Sequence, residues 1–192
     1  MIIAATFFLM LNAKAQNAHF GIKAGMNASS LDFEGNSDMQ TKIGFNAGVF
    51  AHIHTASEFW GFQPEVYYSS EGAKSKSNSN VSTELGYINV PVLIQYMFNN
   101  GFRLEAGPQV GFLMSGKNKV NDNSTDIKDN LRGAVFSIPA GISYLTMTGL
   151  GFDARYNFGI SNINKSDFGD KTHSNVFQFD IFYQFSGPKV AR

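Results

Sequence analysis

The sequence has no cysteine, and its 15 basic residues are matched by 15 acidic ones. Without cysteine there is no disulfide scaffold, no Cys-ligated zinc or iron–sulfur centre and no lipoprotein anchor. The balanced charge leaves no basic excess to neutralise phosphates, so no nucleic-acid partner is expected. Long apolar runs are also missing. The one strongly apolar stretch, Ile2 to Leu11, is about half of the roughly 20 residues a spanning helix needs.

That short stretch is followed by Ala13-Lys14-Ala15-Gln16, a small-x-small pattern. Together they read as a secretory signal peptide over 1–15, cleaved before Gln16, although no Lys or Arg precedes the apolar run. The remainder is long enough for one domain, expected over 16–185, with a polar Gly-Pro-containing tail over 186–192 as a frayed periplasmic end.

What the chain does have is Gly 19, Phe 19 and 14% aromatic residues. Its apolar residues recur with a period of two. Ile43, Phe45, Ala47, Val49, Ala51 and Ile53 alternate with Gly44, Asn46, Gly48 and His52. The same alternation runs through 102–112, 150–160 and 177–185, and more weakly through 18–27, 59–70, 84–98 and 132–146. Segments of about ten alternating residues match tilted membrane-crossing strands. The connections alternate too. Stretches 28–40, 71–83, 116–131 and 162–173 are long and polar, whereas those near His54–Glu58, Asn99–Gly101 and Thr146–Gly149 are short. This sorting predicts an all-β, eight-stranded antiparallel up-and-down transmembrane β-barrel, with both termini periplasmic and the long loops outside.

The face opposite the apolar one carries Lys23, Glu65, Arg103, Glu105, Asp153, Arg155 and Asp180, with Gln63, Asn89, Gln95, Gln109 and Gln178. In a membrane barrel these residues fill the interior, where charges must pair and amides must be hydrogen-bonded. Arg103/Glu105 and Asp153/Arg155 are expected pairs, and Lys23 is expected to meet Asp180 across the closing seam. The set reads as a structural plug or, alternatively, as a pore lining. Trp60, Tyr67, Tyr68, Tyr87, Tyr96, Tyr144 and Tyr183 fall towards strand ends, as interfacial girdles would place them. The soluble alternative is an eight-stranded lipocalin-type carrier, but no Gly-x-Trp motif near the first strand supports it.

Six stretches, in order, resemble the small outer-membrane β-barrel proteins of Gram-negative bacteria known as the porin family or outer membrane protein beta-barrel domain. They are Phe20–Asn27, Gly44–Phe50, Gln63–Ser69, Tyr87–Leu93, Ala106–Gly111 and Gly151–Asn157. The resemblance implies residence in the cell outer membrane, in contact with its lipid. The last strand, with Phe177, Phe179, Ile181, Tyr183 and Phe185, looks like the C-terminal signal read by the barrel-assembly machinery, although such signals usually end the chain.

Catalytic and metal sites are weakly marked. His52 and His54 lie two apart on one strand face and could ligate a metal with Glu58, but a histidine pair at a turn is the plainer reading. Asp170, His173 and Ser174 are too close in sequence to reach triad geometry easily. Asp122, Asp126, Asp129, Asp167 and Asp170 lack EF-hand spacing. The expectation is therefore no enzyme and no cofactor. A structural or surface-interaction role is expected, with porin-like passive transport of small solutes as the alternative and no named partner for the loops.

Overall fold

A computed structural model describes residues 18–33, 39–75, 81–120, 123–165 and 172–185. The expected signal peptide and tail lie outside them, as do Asp122, Asp167 and Asp170. The strands are β1 (Ala18–Phe33), β2 (Met39–His54), β3 (Trp60–Ser75), β4 (Val81–Met97), β5 (Phe102–Ala106), β6 (Gln109–Val120), β7 (Asn123–Asp126), β8 (Ala134–Leu145), β9 (Leu150–Gly159) and β10 (Thr172–Gln184). Each pairs antiparallel with its neighbours, and β1 pairs with β10, so the sheet closes on itself.

Eight staves form the ring, because β5 and β6 occupy a single one. Gly107 and Pro108 separate them, yet the register on β4 runs through the break, from Ile94↔Ala106 to Pro91↔Gln109. Pro108 has no N–H to give, but its carbonyl accepts from Val92 N at 3.0 Å, and Gly107 N donates to Pro139 O at 3.2 Å. β7 lies outside the ring and extends a hairpin from β6.

The outer ends of the strands are longer than apolar periodicity indicates. Residues 28–33, 39–40, 71–75, 81–83, 116–120, 123–126 and 172–173, expected in loops, are strand. The outward face there no longer meets lipid, so its side chains turn polar while backbone pairing continues. Period-two hydrophobicity thus marks the membrane band and not the ends of the strands. The short-loop turns are tight as expected, and two of them close on Gly101 and Gly149, each at φ +90°.

Alternation sets the two faces, and a one-residue slip would exchange them. Phe20, Ile22, Met26, Phe45, Val49, Phe136 and Ile142 point outward and are about half exposed. Aromatic rings meet at both rims: Trp60 with Tyr96 (5.0 Å between centroids) and Phe102 with Tyr144 (4.8 Å) at the short-turn end, Phe45 with Tyr68 (5.7 Å) and Tyr156 with Phe158 (4.6 Å) towards the long-loop end. Tyr67 and Tyr87 depart from the girdle expected of them. Both fall on the inward register of their strands and are buried in the lumen.

At the outer mouth Ala73, Leu85, Tyr87 and Leu113 pack with Leu131 and Ile163 from the third and fourth long loops. These loops are tied to each other by Arg132 N→Ile163 O at 2.8 Å and a bridge between Leu131 and Asn164. An apolar cap therefore covers part of the polar lumen.

Candidate functional site: the barrel interior

All seven charged residues expected inside are buried there. Six of them form one connected group centred on Arg155, which itself touches three. Its guanidinium forks onto Glu65, with Nη1 to Oε2 at 3.0 Å and Nη2 to Oε1 at 3.1 Å. Its Nε donates to Asp153 Oδ1 at 3.0 Å, Nη2 also contacts the other oxygen of Asp153, and Nη2 lies 2.8 Å from Glu105 Oε1. Lys23 completes the group, 3.1 Å from Glu65 and 2.7 Å from Asp180. The Lys23–Asp180 contact spans the β1–β10 closing seam diagonally, since Lys23 stands opposite Phe182 and Asp180 opposite Gly25.

One expected pair does not form. Arg103 and Glu105 share a strand face, but Arg103 reaches Gln184 Oε1 at 3.4 Å, and Glu105 turns to Arg155, Gln95 Nε2 (2.7 Å) and Ser143 Oγ (3.3 Å). The reason is a glycine. Glu105, Gly141 and Arg155 lie side by side on β5, β8 and β9, and Gly141 puts no side chain between the other two. A Cβ there would stand 2.5 Å from Arg155 Cβ. The same arrangement recurs twice. Gly25 separates Asn46 from Asp180, whose side chains bond over it at 2.8 Å. Gly48 separates Lys23 from Tyr67, and the ammonium sits 5.0 Å from the ring centroid. Interior glycines are gaps through which longer side chains touch.

Neutral groups hold further oxygens of the network. Gln63 donates to Glu65 Oε1 (2.9 Å), Gln178 to Asp180 Oδ2 (2.6 Å), and Tyr67 Oη to Gln109 Oε1, which in turn donates through Nε2 to Ser137. On the periplasmic side, His52 Nδ1 lies 2.8 Å from Gln95 Oε1, and His54 packs edge-on between His52 and His19. Among the described residues, no three of His, Asp and Glu gather as a metal site. Ser174 Oγ donates to Glu71 Oε2 at 3.1 Å, and Asp126 Oδ1 accepts from Lys128 N at 2.8 Å.

Glu71 is an interior carboxylate that the sequence reading passed over. It continues the inward row Glu65, Tyr67, Ser69 in steps of two, beyond the point where the apolar pattern of β3 stops. With it, three interior cations, Lys23, Arg103 and Arg155, face five carboxylates, Glu65, Glu71, Glu105, Asp153 and Asp180. Lys42, a further buried cation, stands at the outer rim and serves Glu84 (3.6 Å), which Lys119 also holds at 2.9 Å. In this rim trio, beyond the membrane band, the Lys119 hydrogen bond and then the Lys42 charge keep the Glu84 carboxyl below its ordinary range.

A family model described as outer membrane protein beta-barrel domain matches residues 14–165. No curated protein matches the sequence. Solved structures share the fold at low identity. Neisserial surface protein A (NspA) aligns at TM-score 0.60 and 13% identity, covering 86% of this chain and 97% of its own. Ail, the attachment invasion locus protein of Yersinia pestis, aligns at 0.53 and 15%, covering 88% and 99%. A major outer membrane protein from Thermus thermophilus aligns at 0.53 and 13%, covering 88% and 99%.

Proposed function

The chain belongs to the outer membrane protein beta-barrel domain family, and from that premise we propose that it is a filled, non-conducting barrel whose role lies in its outer loops, as a structural or surface-interaction protein without catalysis. The observation that carries this reading is the Arg155–Glu65 fork. β3 and β9 are four strands apart in either direction round the ring, so the bridge crosses the full width of the lumen. The apolar cap at the outer mouth supports the same reading. Membership of the family places the chain in the outer membrane of Gram-negative bacteria and removes the soluble carrier. Two proteins of similar fold carry names that refer to the surface or to attachment, NspA and Ail. The row Phe177, Phe179, Ile181, Tyr183 and Phe185 is exposed on the lipid face of β10 and its end, where the assembly machinery would read it.

Planar-bilayer recording of refolded protein tests the proposal. No discrete conductance steps are expected from the wild type. Reproducible steps would overturn the filled barrel in favour of porin-like passage of small solutes.

A further inference from the structure

Glu71 lies outward of the Arg155 network, and its surroundings differ from those of every other interior carboxylate. Ser69 Oγ (2.9 Å), Ser174 Oγ (3.1 Å) and, at a long 3.5 Å, Asn89 Nδ2 point at it. Among the described residues no Lys or Arg nitrogen comes within 4 Å of its carboxylate. The nearby Lys42 Nζ instead donates to the Glu71 main-chain carbonyl (3.4 Å). A buried carboxylate with hydrogen bonds but no counter-charge is costly in a medium from which water is largely excluded.

Glu71 borders a cavity of about 20 Å³ under the apolar cap. By that measure roughly 10–15 Å³ accommodates one water-sized occupant. Two further side chains on its wall have polar atoms without partners: the Tyr87 hydroxyl and Asn157 Oδ1, on residues 1% and 4% exposed. The Asn157 amide is oriented by its own bond, Nδ2 to Gln178 Oε1 at 3.2 Å, which leaves its oxygen without a partner. The cavity lining also includes Ser137 and Gly159, the pair at which the β8–β9 ladder ends, with exposed Phe136 and half-buried Ser161.

We infer that Glu71, Tyr87 and Asn157 form a binding site for one small monovalent metal cation, of the sodium class, in the outer half of the lumen. The oxygens are hard donors, which suit alkali and alkaline-earth ions over transition metals. A single carboxylate among neutral oxygens balances a single positive charge, whereas calcium sites generally draw on more than one carboxylate. The site is separate from the Arg155–Glu65 bridge, so it stands whether or not the lumen conducts.

Sodium-23 NMR relaxation of the full chain in sodium-free nanodiscs, titrated in chloride-free buffer with sodium nitrate and then with thallium(I) nitrate, tests the inference. Saturable broadening that thallium displaces is expected for the wild type. It should weaken at least tenfold in Glu71→Gln. Asn157→Asp, which adds a second carboxylate, should tighten binding and admit calcium. The wild-type unfolding midpoint should be higher in NaCl than in choline chloride at equal ionic strength, and Glu71→Gln should lose that difference. Broadening unchanged by Glu71→Gln would overturn the site. So would the absence of sodium-specific broadening together with a protonated-carboxyl infrared band at neutral pH that Glu71→Gln removes, since a proton would then hold the place assigned to the cation.

Discussion

Arg155 on β9 and Glu65 on β3 face each other across the whole lumen and bond twice, at 3.0 and 3.1 Å. A guanidinium can do this because its donors form a rigid fork matched to a carboxylate. The same side chain also serves Asp153 and Glu105, so one cation organises three carboxylates on three staves. Buried ion pairs add little net stability over an apolar filling, but removing one partner strands the others.

Arg155→Ala should therefore lower unfolding free energy in detergent by about 3–5 kcal/mol, the range for breaking a buried pair. Lys119→Ala, which loses a half-exposed contact to Glu84, should cost less than about 1 kcal/mol. Arg155→Lys should recover only part of the loss, because an ammonium cannot fork. Equal losses for Arg155→Ala and Lys119→Ala in equilibrium urea unfolding would refute the charge-paired plug.

Gly141 makes room both for the β9 backbone beside it and for the side chains that meet over it. Gly141→Ala places a methyl against Ala154 O and the Cα and Cβ of Arg155 and should destabilise by about 1–3 kcal/mol, as overpacking does. In an Arg155→Ala background the clash should remain, because Ala154 O and the Cα and Cβ of residue 155 stay in place, and only the cost of parting Glu105 from Arg155 should disappear. A double-mutant cycle gives the coupling, and strictly additive effects would show that the glycine serves some other purpose.

Ile142 faces outward near the middle of β8 and is half exposed, so it lies in the lipid band. Ile142→Arg should cost about 2–4 kcal/mol in a bilayer. Met147→Arg, in the exposed periplasmic turn, should be close to neutral. Refolding yields in lipid vesicles across urea concentrations measure both, and a neutral Ile142→Arg would contradict this orientation of the strands.

The rim trio should show a pH response. Glu84 has a depressed carboxyl pKa when folded, so its stabilising contribution is complete above the ordinary value of 4.5 and is lost as pH falls through the lower folded value. After correction for intrinsic rates, amide exchange at Thr83 and Glu84 should stay flat from neutral pH to 4.5 and rise below it. Lys119→Ala should shrink that rise, because the folded pKa then lies closer to the ordinary value and less stability depends on ionisation. A rise unaffected by Lys119→Ala would separate the local opening from Glu84.

The amino-acid sequence by itself determined the closed eight-stave ring, the lipid face and which charges within the alternating segments turn inward. Each of these is a period-two property, and alternation carries it residue by residue, as in Phe177 to Phe185 against Gln178 and Asp180. Tertiary structure alone decided which interior charges touch. Arg103 and Glu105 look paired along β5, yet Glu105 is held from β9 because Gly141 leaves the stave between them bare. It also decided where strands end, since pairing outlasts the apolar pattern at β3 and brings Glu71 inside. Contacts across a lumen depend on curvature, register and the reach of long side chains, and one-dimensional spacing records none of these.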